Sequence, residues 1–179
     1  MGKIAIAGFS LGGTTAIWLA GGISNRIDSI VPTEQHVSGK EFEAVAEMAK
    51  SLNREEMIQN FWEKRIKAAF IMDPAWAWIF DPKSLEAVSI PTYLVASGND
   101  DVLVTSTNAA FFAEHLKHRT YEPLDSKTGH YVFVSLPTNP LPDSLQFLVK
   151  DKEGIQRPDI QTDVAEKAAR FFSQVFSAE

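Results

Sequence analysis

Apolar residues fall in short unbroken runs that alternate with stretches of helical periodicity. Ile4-Ala5-Ile6-Ala7 is the first run, suited to a strand covered on both faces. A helix from Leu11 to about Gly21 follows, with Gly21-Gly22 as its stop. Segment 23–64 reads as a helical insertion. Ser38-Gly39-Lys40-Glu41 forms a capping box for a helix to about Leu52, with Phe42, Val45, Ala46 and Ala49 on one face. Asn53, with Glu56 three residues on, starts a second helix through Met57, Ile58, Phe61 and Trp62. Ile66–Met72 is the next strand, stopped by Asp73-Pro74. An aromatic loop (Trp76, Trp78, Phe80) leads to a helical turn at Ser84–Val88, and Ile90-Pro91 opens a strand over Thr92–Ser97. Thr105 to about His118 reads as a helix burying Ala109, Phe112, Ala113 and Leu116. Thr120–Leu124 is a short last strand. Pro-rich, polar sequence then runs to Pro158. A final amphipathic helix from about Asp159 to Phe176 turns Ile160, Val164, Ala168, Phe171, Phe172 and Val175 inward. Strands alternating with helices predict an α/β protein, a mostly parallel sheet with flanking helices, as one domain over residues 1–179.

Composition narrows the class. With 45% apolar and 22% charged residues, the chain matches ordinary globular usage, so disordered and fibrous classes drop out. A net charge of −6 argues against nucleic acid or an anionic membrane as the main partner. No apolar run is long enough to span a bilayer. The absence of cysteine removes disulfides, thiolate metal sites and thiol chemistry, and with no signal peptide evident a cytoplasmic location is expected.

The chemistry concentrates at Gly8-Phe9-Ser10-Leu11-Gly12, a G-x-S-x-G set between strand and helix, the context of a nucleophile elbow. Gly8 and Gly12 are expected to let strand and helix approach, holding Ser10 in a strained conformation with its hydroxyl above the sheet. A serine needs a base, and the base needs an orienting acid. Of four histidines, His115 and His118 fall on an exposed helix face and His36 in a loop. His130 follows Thr128-Gly129 beyond the last strand, where a base reaches the carboxyl ends of the preceding strands. For the acid, Asp101 stands first and Asp73 second, with Asp100 read as a turn-former capping local amides. The Leu11 N–H, at a helix start, is one oxyanion donor; no residue is assigned to the second. Phe9, Trp76 and Trp78 are candidates for lining the substrate pocket, with core packing the plainer reading of the tryptophans. No metal-ligand spacing, dinucleotide fingerprint or phosphate-binding loop stands out, so no metal or cofactor is expected.

With these residues placed, the chain resembles the predicted dienelactone hydrolase group of α/β-hydrolases, itself similar to the platelet-activating-factor acetylhydrolases. The carrying motifs are Ile4–Gly13, Arg65–Pro74, Ile90–Asp101 and Thr128-Gly129-His130-Tyr131-Val132-Phe133-Val134. The resemblance covers nearly all of the chain but matches only the carboxyl-terminal half of such a protein. It implies an α/β-hydrolase fold lacking the early strands, and a serine esterase or lipase-like hydrolase acting on an ester or lipid-like substrate. On it Ser10, Asp101 and His130 are nucleophile, acid and base. The acetylhydrolase pattern moves the acid to Asp73. Authentic dienelactone hydrolase uses a cysteine nucleophile, so Ser10 disfavours that reaction, and Phe9 stands where a histidine is often found. The competing expectations are an inactive fragment serving as an interaction subunit, and an acyltransferase with the same triad. The first strand would lie open at a sheet edge, predicting a homodimer or pairing with an unseen amino-terminal segment.

Overall fold

The structure, a computed structural model, describes residues 4–177 apart from 27, 29 and 40. Its centre is a four-stranded, all-parallel sheet in the order β1 (Ile4–Phe9), β2 (Ile66–Met72), β3 (Thr92–Ala96) and β4 (Arg119–Pro123). The helices are α1 (Leu11–Leu19), α2 (Glu41–Ser51), α3 (Arg54–Met57), α4 (Pro82–Glu86), α5 (Ala109–His115) and α6 (Arg157–Ser177). This is the α/β arrangement that the alternation of runs predicts.

Strand side chains alternate between two cores, as the two-residue period of a pleated sheet requires. Ala69, Ile71, Leu94 and Ala96 face one core with Ala16 and Ile17 of α1 and Phe112 of α5. Phe70 and Val95 face the other, where Val164, Ile160, Ala168, Phe171 and Phe172 of α6 close over them. Because both faces are covered, β2 and β3 read as unbroken apolar runs. β1 pairs with β2 alone among the described residues, so it is an edge, and Ile4 on it is 41% exposed.

The turn expected at Ser84–Val88 is α4, Pro82–Glu86, started by the Asp81 side chain accepting from Lys83 N–H. Three further helices differ from their sequence-based limits because a side chain found a tertiary or turn partner. The Ser38 hydroxyl donates to the Asp101 carbonyl (3.2 Å) rather than capping α2, which starts at Glu41; Lys40 of the expected box lies outside the described residues. The Asn53 carbonyl oxygen does cap α3 through Glu55 N–H, but the helix stops at Met57. Beyond it Asn60 accepts from its own Trp62 N–H (2.9 Å), an Asx turn that competes with helix, and Phe61 and Trp62 are left 40% and 47% exposed. The 105–118 helix splits into a 3₁₀ turn at Thr105–Thr107 and α5. Asn108, buried at the break, donates to the carbonyls of His36 (2.8 Å) and Val104 (3.0 Å). Between His130 and α6 the chain is mostly irregular, with 3₁₀ turns at His130–Phe133 and Asp143–Val149. It is fastened by the buried Arg157, which binds Asp151 bidentately and donates to the Val134 and Leu148 carbonyls.

Candidate functional site

All the groups of interest gather where the parallel strands end, the edge at which such sheets place their chemistry. Ser10 follows β1 directly and has φ 55° and ψ −119°, a strained conformation for a residue with a side chain. Its backbone is fixed on both sides. Ser10 N–H donates to the Met72 carbonyl (2.9 Å), and its own carbonyl accepts from Thr14 N–H (3.1 Å) and Ala75 N–H (3.3 Å). A Cβ on Gly8 would lie 2.1 Å from the Gly12 carbonyl oxygen, so strand and helix could not meet as they do. Gly12 corrects its own expectation: a Cβ there meets open space. The second close approach belongs to Gly13, whose Cβ would press on Ile71 and Pro74 at 3.2 Å.

His130 reaches this edge from the loop after β4. Its Nε2 lies 3.0 Å from Ser10 Oγ and its Nδ1 lies 2.8 Å from Asp100 Oδ2. The acid beside the imidazole is therefore Asp100, not Asp101. One carboxylate serves both readings of Asp100. Oδ1 accepts from the N–H groups of Val102 (2.8 Å) and Leu103 (2.7 Å), as a turn-former should, while Oδ2 turns to the ring. Asp101 is the neighbour that holds the base by its main chain: Oδ1 accepts from His130 N–H at 3.0 Å. A Cβ on Gly129 would meet that oxygen at 2.8 Å, so the glycine makes room for it.

Asp73 ends β2 with φ 37° and is 2% exposed. Its Oδ1 accepts from Ser97 N–H (2.8 Å); its Oδ2 is buried without a hydrogen-bond partner, 3.8 Å from His130 Nδ1. Two carboxylates thus share one imidazole. Burial, reinforced by the negative charge of Asp100, pushes the Asp73 carboxyl up to about 7. Burial pulls His130 down, but the hydrogen bond and charge of Asp100, with Asp73 and Asp101 adding, outweigh it and raise the imidazole above its ordinary value. Asp73, Asp100 and His130 also bring three potential ligand atoms within 4.8 Å of one another. A metal there would have to take Nδ1 from Asp100.

Sequence reasoning passed over Thr128, the residue that ties the acid loop to the base loop. It is fully buried; its Oγ1 accepts from Gly98 N–H (2.7 Å) and donates to the Asp125 carbonyl (2.7 Å), and its carbonyl accepts from Asn99 N–H (3.0 Å). The insertion braces the same loop from the other side. Ser38 N–H donates to the Val102 carbonyl (2.8 Å) and Val104 N–H to the His36 carbonyl (3.0 Å). The signal in the sequence is Thr128-Gly129-His130 after a strand, with a threonine whose hydroxyl can bridge two backbones beside the histidine.

A hollow of about 310 Å³ opens over Ser10 and His130, lined mainly by Phe9, Leu11, Val45, Met48, Trp76 and Tyr131. Phe9 and Trp76 thus lie where a substrate would, and Phe9 also packs on the His130 ring at 4.8 Å between centroids. Trp78 does not line this hollow. It is buried and stacks on His36 at 4.3 Å, so the core reading applies to it. Leu11 directly follows Ser10 as the first residue of α1, where an N–H group has no partner within the helix. Among the described residues no helix is long and apolar enough to cross a membrane. No protein-family model, curated protein or solved structure matches the chain.

Proposed function

We propose that this chain is a serine hydrolase of the α/β-hydrolase kind, cleaving a carboxylic ester through Ser10, His130 and Asp100. The observation that carries the reading is the unbroken line from Ser10 Oγ to His130 Nε2 (3.0 Å) and from Nδ1 to Asp100 Oδ2 (2.8 Å), ending on a serine with positive φ. With Nδ1–H donating to Asp100, the lone pair on Nε2 faces the hydroxyl. Ser10 Oγ attacks the ester carbonyl as Nε2 takes its proton, and Leu11 N–H donates to the developing oxyanion. The imidazolium gives that proton to the leaving alkoxide, releasing alcohol and an acyl-Ser10 ester. Water, deprotonated by His130, then frees the acid and restores the serine. Only neutral imidazole is a base, so kcat/KM rises with pH through a midpoint above the ordinary histidine value of 6.5.

The test pairs hydrolysis of p-nitrophenyl acetate with labelling by a fluorophosphonate. Turnover and a label on Ser10, both lost in Ser10→Ala, are expected. Chelator-sensitive turnover without a serine label would replace the reading with a metal-dependent one at Asp73, Asp100 and His130.

The open edge of β1 favours a second reading, an interaction subunit. Ile4-Ala5-Ile6-Ala7-Gly8-Phe9 carries no charge or proline, and such an edge recruits another strand. Concentration-dependent association by size-exclusion chromatography that Ile4→Lys abolishes supports it; a monomer at all concentrations removes it.

A further inference from the structure

The hollow over Ser10 shares one wall with a neighbouring hollow. Leu11, Met48 and Trp76 line it and also line a second hollow, of about 490 Å³, between α1 and the α2–α3 segment. That second space is walled by Trp18, Leu19, Leu52, Met57 and Phe61, with Thr15 on its α1 side. It lies on the insertion side of the serine, and Leu11 and Phe61 at its margins are 39% and 40% exposed. An apolar surface of this extent next to a reacting group invites an apolar chain to cover it. The charge along the path is of one sign. Glu41 borders the first hollow and Glu56 the second, and among the described residues no lysine or arginine lines either.

From the two adjoining hollows we propose that the substrate is an uncharged ester carrying a long apolar arm, which runs from Ser10 past Leu11, Met48 and Trp76 into the groove between α1 and α2–α3. The inference rests on the serine hydrolase reading and names the substrate class for it. Chemistry takes place in the first hollow; the second selects for chain length by burying methylenes. The carboxylates at the margins exclude anionic head groups and leave neutral ones unaffected.

The experiment measures kcat/KM for 7-hydroxycoumarin esters from C2 to C10, below their aggregation concentrations. In the unmodified protein the value is expected to rise about fourfold per added methylene past C4. In Thr15→Trp and Leu52→Trp, which fill only the second hollow, that rise should halt at a shorter chain, so that the ratio of the C10 to the C2 value falls about tenfold or more below that of the unmodified protein. Esters of 7-hydroxycoumarin-3-carboxylate with the same acyl chain should be hydrolysed several-fold more slowly, a gap that narrows with salt. A profile flat or falling beyond C4 with the C2 ester still cleaved overturns the chain-length inference alone; equal rates for neutral and carboxylated esters overturn the charge selection. If neither the C2 ester nor a fluorophosphonate reacts at Ser10, the serine hydrolase reading itself has failed. Should turnover be slow, the labelling rates of short- and long-alkyl fluorophosphonates give the same comparison, and the long reagent is expected to react faster.

Discussion

Two regions meet over Ser10 and are built on different principles. The loops after β2, β3 and β4 are held by buried polar contacts, with Asp73, Thr128 and His130 each at most 2% exposed. The 58–64 stretch beyond α3 has its side-chain hydrogen bonds at the surface instead, and leaves Ile58, Phe61 and Trp62 40–52% exposed. Where groups must stay within a few tenths of an ångström, the chain uses many converging hydrogen bonds; where it only has to present apolar area, it does not. On the proposed reading, rigidity suits the side that makes bonds, and a looser wall suits a side that admits chains of differing length.

The sharpest way to break this contrast is to neutralise the acids one at a time. Asp100→Asn removes the partner that fixes the Nδ1–H tautomer, and ester turnover should fall by about 10³–10⁴. Asp101→Asn keeps an oxygen for His130 N–H and should stay within about tenfold, with kcat following the change more than KM. Equal losses at the two positions would remove Asp100 from its role.

Asp73→Asn comes next. Its carboxyl, raised to about 7 from 3.8, makes burial of the ionised form unfavourable, so stability present at low pH is lost as pH rises from the unfolded value to the folded one. An uncharged Asn escapes that loss. The variant's gain in Tm should therefore grow between about pH 4 and pH 7 and level off above, while turnover falls less than tenfold. A Tm difference that does not vary with pH would show that Asp73 is not held protonated.

The smallest effects compare the two regions directly. Thr128→Val leaves Gly98 N–H without its acceptor and should cost about 1–3 kcal/mol in urea unfolding. Ile58→Ser, in the same stretch and more than half exposed, should stay within about 1 kcal/mol. If the ranking reverses, the loops are less firmly clamped than their contacts imply.

What could be read from residue order was local. The Gly8–Gly12 motif marks Ser10 because a strand, a tight turn and a helix leave a recognisable spacing, and His130 follows from a glycine beyond the last strand. The apolar runs of β2 and β3 mark a sheet covered on both sides. The choice between Asp100 and Asp101 could not be read that way: adjacent residues point oppositely, and the direction is set by Val102 and Leu103 drawing one oxygen of Asp100 inward. The break in the 105–118 helix was equally hidden, since Asn108 answers to a carbonyl at His36, 72 residues away in sequence. Trp76 and Trp78 lie two residues apart, yet only the first meets the hollow, a separation made by the positive φ of Trp76.

The sheet's connectivity also sets an order of assembly. Ala69 of β2 aligns with Thr92 of β3, and Thr92 with Arg119 of β4, short spans that close early, whereas Ile4 of β1 must wait for Ile66 across the whole insertion. Loop-closure entropy grows by only about 0.6 kcal/mol per doubling of length, so the insertion can lengthen or shrink with little penalty to the finished fold. Its burden is kinetic: β1, which carries Ser10 at its end, has the longest loop to close and is expected to dock after β2, β3 and β4 have paired.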